Sequence, residues 1–137
     1  PAFDRIYHTD SFGPCIYVCD FDADGTLSNR TVFVRFPEEW GYPDGMNTDE
    51  EGYIWVGHWG AGRLTRFTPD GSVDRVVEVP ASQVTSCVFG GPDLATLYIT
   101  TAAIDLDEAT RAAEPDAGGL FSFDPGVRGL PTQRFAG

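Results

Sequence analysis

The sequence repeats one pattern of short β-type segments along its length. An aliphatic residue followed by an aromatic one opens a run at Ile6, Ile54 and Leu97, in steps of 48 and 43 residues. After each of these runs comes a glycine-containing turn and then a second run that ends in phenylalanine. An Asp/Gly turn and an outer run complete each repeat. A period of roughly 40–50 residues with four short strands is typical of a propeller blade. A β-sandwich also has closely spaced strands, but the fixed order of these signals favours the propeller.

The repeat also predicts where each blade begins. The innermost strand of the second blade is expected at residues 46–48 and that of the third at 84–89, whereas the first repeat has no such segment after Pro1. We therefore predict an all-β fold: a single domain that is a partial β-propeller of about three four-stranded blades, the first incomplete. The blades are expected at about residues 1–37, 38–80 and 81–137, with outer strands at 31–36, 73–79 and 132–135.

An insertion at residues 103–117 interrupts the repeat between the second and third strands of the last blade. Residues 107–114 combine an acidic start with good helix formers, and Pro115 follows them. This pattern predicts one short helix in a surface loop.

Composition narrows the classes of partner. The chain has 21 acidic and 9 basic residues and a net charge of −12, which argues against binding to nucleic acid or to an anionic membrane. The charge is compatible with a divalent cation or a neutral polar ligand, and solubility alone also explains it. Cys15, Cys19 and Cys87 lack metal-site spacing and are expected to be free thiols. With no apolar run of 18 residues and no visible signal peptide, we expect a cytoplasmic protein.

Several motifs resemble those of the SMP-30/gluconolactonase/regucalcin-like family of six-bladed propellers, and most closely its bacterial sugar-lactonase branch. They are Pro-Asp-Gly-Met at 43–46, Ile-Trp-Val at 54–56, Gly-Arg-Leu at 62–64, Thr-Ser-Cys-Val-Phe-Gly-Gly at 85–91, Leu-Tyr-Ile-Thr-Thr-Ala at 97–102 and Gly-Gly-Leu-Phe at 118–121. The resemblance covers nearly the whole chain but only the C-terminal half of the family. It implies a divalent metal (Ca, Zn, Mn or Mg) at the centre of the ring and hydrolysis of a small sugar lactone.

The resemblance assigns Asp44 as a metal ligand and catalytic residue. In the family the metal is also held by a glutamate and an asparagine, and neither has a counterpart in this chain. A metal polarises the lactone carbonyl, and Asp44 can also take the proton of the attacking water. Without the family context, an aspartate between proline and glycine is more often a turn former.

Three further residues are candidates for substrate binding: His58, Trp59 and Ser86. His58 and Trp59 follow a strand that ends near Asp44, so they are expected to line the pocket, with His58 donating to sugar hydroxyls. A histidine at the rim without any role is an equal alternative. Ser86 aligns with Asp44 in the repeat and is interpreted as a pocket hydroxyl or a strand cap. The acidic turn at residues 49–51 is expected to be solvated at the opposite end.

Two functions remain open at this point. The first is a metal-dependent sugar-lactone hydrolase, or the C-terminal fragment of one. The alternative is a half-propeller without catalytic activity that pairs with another chain, either as a homodimer or with a missing N-terminal half. A bare strand edge at the incomplete first blade favours association in either case.

Overall fold

Residues 4–132 are described by the computed structural model and form mainly β-structure. The strands are β1 Arg5–Asp10, β2 Cys15–Phe21, β3 Leu27–Arg35, β4 Tyr42–Thr48, β5 Ile54–Trp59, β6 Arg63–Phe67, β7 Val73–Glu78, β8 Val84–Gly90, β9 Thr96–Thr101 and β10 Leu120–Phe123. A 3-10 helix covers Glu38–Trp40, and α1 covers Glu108–Ala113. No helix among the described residues is long and apolar enough to cross a membrane.

The strands form three separate antiparallel sheets in chain order. These are β1-β2-β3, β4-β5-β6-β7 and β8-β9-β10, so each strand pairs with its neighbour in sequence. This arrangement confirms the predicted partial propeller, and within residues 4–132 the first blade has three strands and no inner strand. The outer strand predicted at 132–135 lies, apart from Thr132, outside the described residues.

The short helix forms where the insertion was predicted. The Asp107 carboxylate accepts a hydrogen bond from the Thr110 N–H at 2.7 Å, which caps the free N–H groups of the first turn of α1. The loop is tied to the segment before β8, because the Gln83 side chain donates to the Ile104 carbonyl at 2.8 Å. The Glu114 carboxylate accepts from the N–H and hydroxyl of Ser82 at 2.8 and 2.9 Å.

The middle sheet is buried on both faces. Successive side chains of a strand point to opposite faces, so β5 sends Trp55 toward the third sheet and Ile54 and Val56 toward the first. The core between the middle and third sheets, around Trp55, also contains Leu64, Val84, Cys87, Phe89, Leu97 and Ile99. The core between the middle and first sheets also contains Ile16, Val34, Phe36 and Phe67. Each such side chain contributes about 1.5–3 kcal/mol by its burial. The two interfaces therefore hold the three sheets together.

The turn between β4 and β5 contains a fully buried carboxylate, that of Asp49. Its oxygens accept hydrogen bonds from the N–H groups of Glu51 and Tyr53 at 3.0 Å, from Trp55 Nε1 at 2.9 Å and from Arg66 Nε at 2.8 Å. The prediction that the whole acidic turn is solvated is therefore wrong for Asp49. Because β5 and β6 bring an indole and a guanidinium beneath the turn, this carboxylate replaces its water contacts with four donors.

Arg66 is the centre of this network. Its guanidinium is buried and lies within salt-bridge distance of Asp49, Glu51 and Asp74, at 2.7, 2.6 and 3.0 Å. It also lies 3.8 Å from the ring centroid of Tyr53. Burial by itself lowers the pKa of Arg66, but the hydrogen bonds to the three carboxylates outweigh burial and raise the pKa above its ordinary value. The charge is thus retained inside the protein.

We predict that Asp49→Ala lowers the free energy of unfolding by about 3–5 kcal/mol, because four donors lose their acceptor and a buried ion pair is broken. Urea denaturation measures this loss. Asp74→Ala is the matched control, since Asp74 binds the same guanidinium from a position that is 31% exposed, and its loss should cost less than about 1 kcal/mol. Equal losses for the two variants would contradict the central role of Asp49.

Candidate functional site

A β-bulge at the start of β4 presents Asp44. Pro43 pairs with His58 and Met46 pairs with Val56, so Asp44 and Gly45 together face the single residue Gly57. Two residues opposite one define a bulge, which bends a strand and re-aims its side chains. The Asp44 side chain is therefore half-buried near the start of β4 and does not follow the regular alternation of side chains between the two faces of the sheet.

The bulge is held in place from both neighbouring sheets. On one side, the Ser11 hydroxyl donates to the Pro43 carbonyl at 2.8 Å, and the Thr9 hydroxyl donates to the Asp44 carbonyl at 3.1 Å. On the other side, a Cβ added to Gly45 would lie 2.5 Å from Cβ of Ser86. Only glycine allows the backbones of β4 and β8 to approach this closely. The backbone that carries the Asp44 side chain is consequently fixed by the fold.

Asp44 lies in a cleft of about 380 Å³, a volume within the range of small-molecule sites. The cleft is lined by Ser11, Phe12, Tyr42, Pro43, Asp44 and Trp59. Asp44 is the one charged side chain in this lining, and three of the others are aromatic. The structure thus brings together the predicted residues Asp44 and Trp59.

Sequence reasoning did not identify Phe12, Tyr42 and Ser11 as residues of the cleft. They come from the β1–β2 turn and from the residue that opens β4, which the repeat alone does not place beside Asp44. The one available signal was an aromatic residue in a polar turn, Phe12 between Ser11 and Gly13.

Burial raises the pKa of the Asp44 carboxyl above its ordinary value, and the hydrogen bond from the Gly45 N–H opposes this effect. A carboxylate with a raised pKa is a stronger base. In its ionised form it can accept a proton from a water molecule or a hydroxyl group beside it.

His58 lies behind the wall of the cleft and is fully buried. Its ring packs on Phe36 and Trp40, with centroid distances of 4.7 and 6.0 Å. Nδ1 lies 2.9 Å from the Trp40 carbonyl, which fixes Nδ1 as the protonated nitrogen. Arg63 Nε, 3.2 Å from the same atom, then makes no hydrogen bond to it. The structure gives this side chain no surface with which to contact a sugar directly.

The pKa of His58 is lowered to about 4, first by burial. The bond to Trp40 raises the pKa and the nearby charge of Arg63 lowers it, so burial decides the result. The ring is neutral at physiological pH. It holds the Trp40 carbonyl at the end of the 3-10 helix, four residues before Asp44.

Ser86 packs against Gly45 and is not the counterpart of Asp44. Since the Ile54 and Leu97 repeats align Val56 with Ile99, their partners Met46 and Cys87 are equivalent. Counting back through the bulge in each strand makes Ser86 the counterpart of Gly45, and Thr85 the counterpart of Asp44. The alignment of Ser86 with Asp44 was wrong by one residue, because the hairpin between β8 and β9 is longer than the one between β4 and β5: Phe89 pairs with Leu97, eight positions on, whereas Thr48 pairs with Ile54, six positions on.

A metal ion needs more ligands than this cleft supplies. Among residues 4–132, no three His, Cys, Asp or Glu side chains are grouped in a way that could hold an ion. Calcium takes six to eight oxygen ligands, and Asp44 provides one carboxylate. The residues described do not form a metal site by themselves.

The buried state of His58 predicts a pH dependence of stability. The unfolded chain takes up the proton near pH 6.5 and the folded chain near pH 4. Between these values the unfolded state binds more protons, so the stabilisation is complete above pH 6.5 and is lost as the pH falls toward 4. The loss should reach up to about 3 kcal/mol.

Urea denaturation at several pH values measures this dependence. His58→Gln should show a shallower decrease in the free energy of unfolding between pH 6.5 and 4. His8→Gln is the matched control, since His8 is the other histidine and is exposed on β1. The interpretation fails if His58→Gln and the unmodified protein show the same slope.

Comparison with known proteins places this fold and cleft in a family. A sequence profile of the SMP-30/Gluconolactonase/LRE-like region matches residues 1–103. Regucalcin from Danio rerio is 39% identical over 135 residues, which cover 96% of this chain and 46% of regucalcin. Pentonolactonase XacC from Haloferax volcanii is 38% identical over 136 residues, which cover 96% of this chain and 47% of that enzyme.

A solved structure agrees with these matches. The crystal structure of a calcium-binding protein, regucalcin from Agrobacterium tumefaciens, has a TM-score of 0.87 at 31% identity, over 95% of this chain and 45% of that one. The chain spans about half the length of the curated relatives it matches. Because the profile match covers most of the sequence and the fold agrees, this chain belongs to the SMP-30/gluconolactonase/LRE-like family.

Proposed function

We propose that this chain forms one wall of a site that hydrolyses small sugar lactones, with Asp44 as its reactive carboxylate. The observation that carries the proposal is the position of Asp44: a bulge presents it in an open cleft, and burial raises its pKa. The name of the relative XacC, a pentonolactonase, supports a lactone as the substrate class. The proposal concerns the half of such a protein that this chain matches.

The proposed chemistry uses Asp44 as a general base. A water molecule attacks the carbonyl carbon of the lactone while an Asp44 oxygen takes one of its protons. The tetrahedral intermediate then expels the ring oxygen, which takes back the proton held by Asp44 as the carbon–oxygen bond breaks, and the product is an open-chain hydroxy acid. A positioned general base accelerates such a step by typically 10²- to 10⁴-fold.

A divalent cation enters this proposal only as a partner of Asp44. The Agrobacterium tumefaciens relative is described as a calcium-binding protein, which supports a cation in the family. We assign Asp44 as the ligand that this chain contributes, and calcium, zinc, manganese and magnesium remain open. Trp59 is proposed to line the substrate site from the end of β5.

Hydrolysis of L-arabinono-1,4-lactone and D-glucono-1,5-lactone by the purified chain tests the proposal. We expect slow turnover above the spontaneous rate, because a single general base supplies only part of the catalysis. Asp44→Asn should reduce the catalysed rate roughly 10²-fold or more. Asp70→Asn, in an exposed turn between β6 and β7, is the matched control and should leave the rate unchanged.

The pH profile gives a second measure of the same reaction. The catalysed rate should rise with pH as Asp44 loses its proton, with a midpoint above the ordinary aspartate value of 3.8, and it should then level off. Asp44→Asn should lack this inflection. No catalysis at any pH, or catalysis that survives Asp44→Asn, would contradict the proposal.

A second candidate function, assembly with another chain, is favoured by the edge of β1, which pairs with no strand of the described residues on the side away from β2. The Phe21 N–H donates to the Asp4 carbonyl at 2.8 Å. In an antiparallel pair of strands every second residue is hydrogen-bonded to the partner strand, so counting from Asp4 identifies the residues of β1 that are bonded to β2. The backbone groups of Arg5, Tyr7 and Thr9 therefore point away from β2. Such an edge is a template for an added strand.

Light scattering coupled to size-exclusion chromatography tests this assembly. We expect a homodimer of about twice 14.9 kDa. Arg5→Pro should weaken the dimer because it removes one edge N–H without breaking a bond to β2. A monodisperse monomer at high micromolar concentration would rule out self-association.

A further inference from the structure

One large aromatic side chain of this protein takes almost no part in its core. Phe12 is 98% exposed, although it lies in a turn that connects two well-packed strands. Burial of a phenylalanine normally stabilises a fold, and here that contribution is missing. The fold therefore gives no reason for an aromatic residue at this position.

The turn that carries Phe12 is held firmly. The Gly13 N–H donates to Asp10 Oδ1 at 2.7 Å, and a Cβ added to Gly13 would lie 2.5 Å from Asp10 Oδ2. The neighbouring Ser11 hydroxyl is bonded to the carbonyl of Pro43, the residue before Asp44. The backbone of this turn is thus fixed relative to the strand that carries Asp44, and the Phe12 side chain projects from it.

The surroundings of Phe12 select the kind of ligand. Tyr42, which is 51% exposed, and the partly buried Trp59 line the same cleft, and Asp44 supplies its charge. The faces of aromatic rings carry negative charge density and attract the weakly positive C–H groups on one face of a sugar ring. A carboxylate accepts hydrogen bonds from sugar hydroxyls. Rings and a single carboxylate are thus complementary to a small, neutral, hydroxylated ring.

We propose that Phe12 binds the substrate by stacking on the ring of the sugar lactone, with the lactone lying between Phe12 and Asp44. This inference rests on the proposed function, and it assigns the residue that recognises the ring as opposed to the reacting carbonyl. Stacking holds the lactone equally in the ground state and in the transition state. Phe12 therefore governs KM and leaves kcat unchanged, whereas Asp44 governs kcat.

The test measures binding and turnover of L-arabinono-1,4-lactone by the full 137-residue chain. Saturation-transfer NMR gives the Kd and shows which ligand protons lie against the protein. An aromatic contact is worth about 0.5–1.5 kcal/mol, so Phe12→Ala should raise Kd and KM roughly 2- to 12-fold at unchanged kcat. Phe12→Tyr, which keeps the ring, should restore them.

Leu120→Ala is the matched control, because Leu120 is also an exposed apolar residue (65%) and lies on β10, away from the cleft. It should bind the lactone as the unmodified chain does. Thermal unfolding should be the same for Phe12→Ala and the unmodified chain, since the side chain is exposed.

The outcomes separate the inference from the function on which it rests. If Asp44→Asn abolishes turnover while Phe12→Ala binds the lactone like the unmodified chain, the stacking role is overturned and the proposed function stands. If Phe12→Ala lowers kcat instead of raising KM, the stacking role is equally overturned. If the unmodified chain neither binds nor hydrolyses the lactone, both proposals are overturned.

Discussion

The burial of the middle sheet on both faces is the constraint on which the rest of the structure depends. In a sheet with one solvent-exposed face, apolar and polar residues alternate along each strand, but β5 has to supply apolar side chains to both faces. Ile54, Trp55 and Val56 therefore follow one another without a polar residue between them. The neighbouring sheets are held through these contacts, and their separation fixes how closely β4 and β8 approach each other.

This close approach determines the geometry of the cleft. Where β4 meets β8, only a glycine fits, and Gly45 fills that position within the bulge. The preceding residue, Asp44, is then turned out of the regular alternation and toward the cleft. The hydroxyls of Thr9 and Ser11 fix the same segment from the first sheet. The backbone that carries the Asp44 carboxylate, the group that we propose to be reactive, is thus held by three sheets at once, which is the rigid support that a functional group needs.

The sequence repeat was sufficient to predict the sheets, since periodic apolar runs and Asp/Gly turns arise from local chain geometry. The helix at Glu108–Ala113 was predictable for the same reason, because its cap and its helix formers are close in sequence. The burial of Asp49 was not predictable, as it depends on Arg66, which lies 17 positions away on another strand. The same applies to His58, whose neighbour Phe36 comes from the connection between two sheets. Pairs that meet only through tertiary packing leave no local pattern.

Hairpin length explains the remaining difference at the site. Residue spacing located Asp44 because Pro-Asp-Gly is a local motif, but it misaligned Ser86, since the β8–β9 hairpin is longer than the β4–β5 hairpin and the spacing of the repeat does not show where the extra residues lie. Phe12 was missed for a different reason. A lone aromatic residue in a turn is informative only when its exposure is known, and exposure is a property of the folded chain.

The two aspartates near the ends of β4 lie in opposite environments. Asp49 follows the strand and receives hydrogen bonds from four donors, so its carboxylate is fully used by the fold. Asp44 lies near the start of the strand, where the Gly45 N–H is its local donor and one side of its carboxylate faces an open cleft. A partly buried carboxylate with few hydrogen-bond donors keeps its capacity to accept a proton or a ligand. A carboxylate whose oxygens already accept hydrogen bonds from four donors does not. The same chemical group is therefore saturated with hydrogen bonds at one end of the strand and, in the function that we propose, reacts at the other.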